Sequence, residues 1–231
     1  MKKLNVKIIF TALIGAFILS SCLKDNDNIG YYPQAAFTMV NAYSPSESII
    51  YKADHNAIQS PINPLVFKSY TFANLFPGNR RIQTISSNNK TLVDTLYAFR
   101  DSTYYTSFVY GTNDTPKHII STDKLLTGLE TKSAIRFLHL ANNIGAVSVF
   151  IGDDENPVFN NRLISQNLNP AETTFKPHNS GKQKIVIKDE VTNTTIEREY
   201  DFAPGIHYTI ILIGDKENTN APLYIGIIKQ Y

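Results

Sequence analysis

Tryptophan is absent from the 231-residue chain, and cysteine occurs once, at Cys22. A single thiol excludes an internal disulfide and any cysteine-rich zinc site. Without a Cys pair and a buried Trp, an antibody-type immunoglobulin domain is excluded as well. Neither charge sign dominates: 22 Lys and Arg stand against 20 Asp and Glu, and no basic cluster offers a nucleic-acid footprint. No uncharged apolar run reaches the roughly 20 residues that a membrane-spanning helix needs. After residue 21 no stretch keeps a helical period for three turns. No Gly-x-Ser-x-Gly elbow, phosphate-binding loop or dinucleotide fingerprint occurs.

What is present begins at the N-terminus. Lys2, Lys3 and Lys7 precede an uncharged, mostly apolar stretch over residues 8–19, followed by Ser20, Ser21 and Cys22. These are the three regions of a secretion signal. The run Leu19-Ser20-Ser21-Cys22 resembles the bacterial lipobox, which implies cleavage before Cys22 and lipidation of its thiol. Several acyl chains anchor stably where one binds marginally. Loss of residues 1–21 leaves 19 basic against 20 acidic residues, so the precursor's positive charge does not describe the mature chain. Residues 22–34 read as the lipidated Cys and a tether, and Lys24-Asp25 resembles the export signal of Bacteroidota surface lipoproteins. The localisation expected is therefore the outer membrane, on the cell surface.

Residues 35–231 carry short β-branched and aromatic runs separated by Gly, Pro, Asn and Asp, the signature of an all-β chain. They also repeat. Residues 36–42 align with 134–140; residues 78–82, Phe99 and 105–111 align with 181–185, Phe202 and 208–214 at one offset of 103. Such order argues for tandem copies of one unit. Each copy offers about seven strands, near 35–43, 47–52, 65–73, 80–87, 91–99, 103–111 and 117–122, then 133–141, 146–151, 171–176, 182–188, 194–202, 206–214 and 221–229. This cadence predicts two tandem immunoglobulin-like or Greek-key-type β-sandwich domains, at 35–125 and 132–231, joined by a linker over 123–131. The run 208–213 is apolar on both faces apart from Thr209, as in a central strand or one covered by the other copy.

Ala134, Arg136, Phe137, His139 and Asn143, followed by residues 147–152, resemble the opening of the domain-of-unknown-function family 4397. Gly181, Ile185 and Ile187 fit that family's later strand, and Gly205, Tyr208 and Thr209 its Gly-x-x-Tyr-Thr strand. The first copy has Asn41 in place of the His, while Ser44-Pro45 keeps the family's Ser-Pro. The resemblance implies an extracytoplasmic β-sandwich, often in tandem, and supplies no activity.

Chemistry is sparse. His55, His118, His139, His178 and His207 lack the spacing of a zinc site. His139 reads as a half-buried side chain bonded to the adjacent turn, a role that Asn41 fills in the first copy. Asp153, Asp154 and Glu155 form an acidic turn without EF-hand spacing. The pairs Tyr31-Tyr32 and Tyr104-Tyr105 offer aromatic platforms for sugar faces or protein partners, although alternation along a strand accounts for them too. Asp94-Thr95-Leu96 and Asp101-Ser102-Thr103 resemble Bacteroidota O-glycosylation acceptors. Two long connections, 55–64 and 153–170, differ most between the copies.

The expectation is a non-enzymatic, lipid-anchored cell-envelope protein with no catalytic residues, cofactor or metal. It would present loops for protein binding or envelope assembly; the alternative is a surface glycan-binding lipoprotein of a polysaccharide-uptake system. Its partners would be the membrane, through lipid on Cys22, and a protein or glycan ligand, with no nucleic acid.

Overall fold

The computed structural model describes residues 31–189 and 191–231. The signal expected at 1–21, Cys22 and Lys24-Asp25 lie outside the described residues, as does most of the tether at 22–34. Among the described residues no helix is long and apolar enough to cross a membrane.

Pro33 to Tyr231 form one compact unit, nearly all β. In the first half an inner sheet has the order β5-β1-β8-β9, with β1 at Ala35–Asn41, β5 at Tyr70–Leu75, β8 at Tyr104–Gly111 and β9 at Pro116–Asp123. The outer sheet has the order β3-β2-β6-β7, from Asn56–Ala57, Ser48–Ala53, Gly78–Ser86 and Thr91–Phe99, and β4 (Leu65–Val66) also pairs with β2. The second half repeats the plan. Its inner sheet runs β13-β10-β16-β17, from Lys176–Asn179, Lys132–His139, His207–Ile213 and Tyr224–Gln230. Its outer sheet runs β12-β11-β14-β15, from Phe159–Arg162, Val147–Ile151, Gly181–Asp189 and Thr194–Phe202. β1 lies parallel to β8 and β10 parallel to β16, while the other ladders are antiparallel.

Burial explains the layering. β15 alternates half-buried and exposed residues along nearly its whole length, as a strand with one wet face must. β16 is buried at every position. One of its faces joins the second half's core, with Phe137, Ile185 and Phe202. The other joins a cluster drawn from both inner sheets, including Val40, Phe108, Leu138, Ile211 and Ile213. The continuous apolar run 208–213 is thus a central strand covered on both sides. The first half has its own core around Phe37, Tyr51, Ile82 and Phe99.

The duplication is visible atom by atom. Tyr97, Phe99 and Tyr105 pack ring to ring with centroids 5.2, 5.7 and 4.9 Å apart; Tyr200, Phe202 and Tyr208 do so at 5.0, 5.5 and 5.0 Å. The Tyr105 hydroxyl accepts from the Arg100 amide at 2.9 Å, and that of Tyr208 from the Ala203 amide at 3.0 Å. Gly78 faces Phe99 and Gly181 faces Phe202 in the two outer hairpins.

One expected strand, at 171–176, is instead a single helical turn, α1, at Pro170–Thr173. The Asn169 side chain accepts from the Ala171 and Glu172 amides, Glu172 accepts from the Asn169 amide, and Pro170 sits at the first position. This capping box closes the turn and delays the strand to Lys176. β12 lies inside the connection expected to be a loop at 153–170.

Candidate functional site

The two halves meet inner sheet to inner sheet, and polar side chains pin the seam. Arg136 lies in an otherwise apolar strand, β10, and is wholly buried. Its Nη1 donates to Asp123 Oδ1 at 2.7 Å and its Nε to Thr209 Oγ1 at 2.8 Å. The guanidinium stands 4.5 Å over the Phe175 ring. Asp123 also accepts from Thr106 and Ser121 hydroxyls and, at 3.0 Å, from Gln230 Nε2. Thr209 donates to Gln230 Oε1. Strand register makes Thr106 and Thr209 equivalent, and likewise Asp123 and Gln230. The duplicated polar positions therefore interlock across the seam.

Over one side of this seam runs the segment 153–170, fixed at several points. Phe159 is buried in the second core. Ser148 Oγ donates to Asn160 Oδ1 and accepts from the Asn161 amide, and Asn161 is held at φ 48°. The Ser165 amide donates to the His139 carbonyl at 2.7 Å, while the Tyr110 hydroxyl of the first half donates to the Ser165 carbonyl. Burial, then the Glu172 charge, push the Tyr110 phenol up to about 12, so it stays a donor. Ile164 and Leu168 pack on the seam cluster. A segment with this many buried anchors is scaffold as much as loop, so replacing it wholesale by a short turn would remove core.

The fixed segment walls a groove of about 520 Å³ lined by Asn161 to Ile164, Gln166, Asn167, Asn169 and Glu172. Gln166 and Asn167 also line a neighbouring hollow of about 320 Å³ whose far wall is Tyr110, Lys117 and His118 of the first half. The charged groups have partners: Arg162 Nη2 donates to the Ala171 carbonyl at 2.7 Å, and Glu172 closes the capping box. The side-chain amides of Asn161, Gln166 and Asn167 are exposed and make no protein hydrogen bond among the described residues, and Leu163 is 70% exposed beside them. The groove thus offers neutral donors and acceptors next to an apolar patch. Sequence reasoning marked the segment by its length but not these amides.

Four of the five histidines are bonded into the fold. His139 is fully buried where half-burial was expected. Its Nδ1 accepts from the Ala141 amide at 3.3 Å and Nε2 bonds the Gly145 carbonyl at 3.0 Å, which places the proton on Nε2. Asn41 repeats the pattern, accepting from the Tyr43 amide and donating to the Leu65 carbonyl. His118 Nε2 lies 2.8 Å from Ser107 Oγ, but Ser107 has no exposed surface and also contacts Tyr51. Ser107 is thus enclosed, while His118 is partly buried and borders the hollow beside Tyr110 and Lys117. His207 Nε2 accepts from the Leu126 amide at 2.8 Å. His178 pairs with Asp154 at 3.3 Å, and His55 sits in an exposed turn at φ 72°. Asp153, Asp154 and Glu155 are exposed. Among the described residues no group of three or more His, Cys, Asp or Glu is placed to hold a metal.

The tyrosine pairs divide. Tyr105 is core, while Tyr104 packs at a tilt against Tyr231 with centroids 4.1 Å apart. Tyr31 and Tyr32 are exposed. Asp94 is held by Arg81 through two hydrogen bonds, which keep its carboxyl down at about 2. Ser102 lies in an exposed turn at φ 52°.

A family model described as a domain of unknown function, DUF4397, matches residues 35–150, the first half and the opening of the second. No curated protein matches the sequence. A solved structure described as alpha-glucan binding by a streptococcal virulence factor is similar at 10% identity, with a TM-score of 0.27, over 83% of this chain and 97% of that one. At that score the likeness carries no argument about this chain.

Proposed function

The chain belongs to the DUF4397 family, a domain of unknown function, and we propose that it is a non-enzymatic, lipid-anchored binding protein of the cell envelope. The seam groove is its ligand site. The observation that carries this reading is the set of unpartnered side-chain amides of Asn161, Gln166 and Asn167 on a segment fixed to both halves. Groups already held in place lose little freedom when a ligand arrives. The titratable side chains at the seam are instead bonded into the fold: both His139 nitrogens face backbone groups, and His118 Nε2 bonds Ser107, whose hydroxyl is enclosed. Cys22 supplies the anchor and Lys24-Asp25 the address, both read from the sequence. Recognition then falls to connections displayed by rigid sheets.

A second reading is favoured by the same lining: the ligand is a glycan, captured at the cell surface for uptake. Planar amides donate and accept at once, as vicinal hydroxyls do, and Leu163 offers an apolar surface to a sugar's C–H face.

The test is retention of the purified chain on immobilised envelope proteins and on a panel of neutral polysaccharides, compared with an Asn161→Ala/Gln166→Ala/Asn167→Ala variant. Loss of retention with unchanged thermal unfolding supports the groove. Retention that survives all three substitutions overturns it, and polysaccharide retention alone selects the second reading.

A further inference from the structure

The strand β5 is the outermost strand of the first inner sheet. Its partner β1 bonds it on one side only. The Asn41 amide donates to the Ser69 carbonyl, and Ala36 and Ala42 donate to the β8 side. Because bonded and non-bonded pairs alternate in an antiparallel ladder, Met39, Phe37 and Ala35 bond Thr71, Ala73 and Leu75. The backbone groups of Tyr70, Phe72 and Asn74 therefore point away from the sheet, and no described residue pairs with them.

An open edge of this kind invites another strand, and folded chains ordinarily guard it with charge or proline. Residues 69–76 (Ser, Tyr, Thr, Phe, Ala, Asn, Leu, Phe) hold no charge and no proline. Phe72 is 55% and Phe76 68% exposed. The equivalent strand of the second half, β13, is guarded: it is four residues long and carries Lys176, Pro177 and the Asp154-paired His178. The duplication thus leaves one of two equivalent edges bare.

We propose that β5 is the docking edge for a second copy of this chain, paired antiparallel about a two-fold axis at Phe72. Three features select a second copy. The outward set at positions 70, 72 and 74 is symmetric about Phe72, so Tyr70 meets the other copy's Asn74 and up to about six main-chain hydrogen bonds form. No like charges oppose each other in this register, since residues 69–76 are uncharged. The Phe72 side chain stands beside an apolar notch of about 290 Å³ with Tyr70, Ile206, Lys229 and Tyr231, and the second Phe72 ring falls on the same face and covers it. The pairing is independent of the groove and of the anchor.

The register makes the test specific. Directly bonded partners have Cα atoms about 5.5 Å apart, within disulfide reach. In the full chain in detergent, Phe72→Cys is expected to cross-link on oxidation, while the parent chain and Asn74→Cys do not. Asn74→Pro removes an outward N–H without touching the β1 ladder, and is expected to weaken dimerisation in sedimentation by at least about tenfold; Asn74→Ala, which keeps the N–H, leaves it unchanged. Thermal unfolding checks that each variant is folded. A monomeric parent, cross-linking at position 74 as readily as at 72, or a dimer indifferent to Asn74→Pro overturns the proposal.

Discussion

Asp123 Oδ1 and Arg136 Nη1 meet at 2.7 Å across the seam with neither side chain exposed to solvent. Asp123 ends the last strand of the first half, and Arg136 stands in the first strand of the second. Their pairing ties the two copies together in a place where water cannot replace either partner. Arg136→Met leaves Asp123 buried with a partner missing, so the expected loss is about 3–5 kcal/mol in urea unfolding. Replacing both, Arg136→Met with Asp123→Leu, is expected to recover part of it. A loss below about 1 kcal/mol in the single variant would show that the pair does not weld the seam.

The seam also bears on the units 35–125 and 132–231, which we propose as the two domains. Each has its own core, yet Phe108, Ile211 and Ile213 are buried only because the inner sheets face each other. Unfolding followed separately through a fluorescent label on each half should give one coincident transition. Two separated transitions would mean that the halves are stable alone and the seam adds little.

Stability should fall in mild acid. Burial holds His118 down to about 4, and burial also lowers His139 and His207. A histidine depressed in the folded state favours the neutral form there, so its contribution is full above the unfolded value of about 6.5 and is lost as pH drops from there through about 4. The expected decline attributable to His118 is on the order of 3 kcal/mol. Unfolding midpoints of wild type and His118→Asn, taken between pH 7 and 4, should converge as pH falls. Parallel curves would exclude His118 as a source of the dependence.

Much of the strand layout was legible because wet and dry faces alternate. The strand expected at 194–202 is found at Thr194–Phe202, and the fixed offset of 103 foretold the matched tyrosine–phenylalanine clusters. A short local signal is hidden by its surroundings: Asn169, Pro170 and Glu172 spell a capping box inside a stretch of strand-like composition. The weld was not legible, since it depends on which sheet faces meet. Its one trace was an arginine in the apolar run of β10, where a buried charge needs a partner. The groove escaped for a similar reason: exposed amides in a long connection carry no pattern until Tyr110 and Ser165 fix where they stand.

The proposed surface display rests on Lys24-Asp25. Protease added to whole cells should remove the protein, and replacing residues 24–27 with Ala should leave it lipidated but protected inside. Equal protection of both forms would withdraw the surface assignment and leave the anchor untouched.

The anchor itself is the most direct test of an envelope binding protein held by lipid, and the measurement is the intact mass and detergent partitioning of the mature chain. The expected result is a chain beginning at Cys22, carrying acyl mass on that residue and partitioning into detergent, with Cys22→Ala unlipidated and its signal uncut. A soluble mature chain with a free thiol would contradict the account.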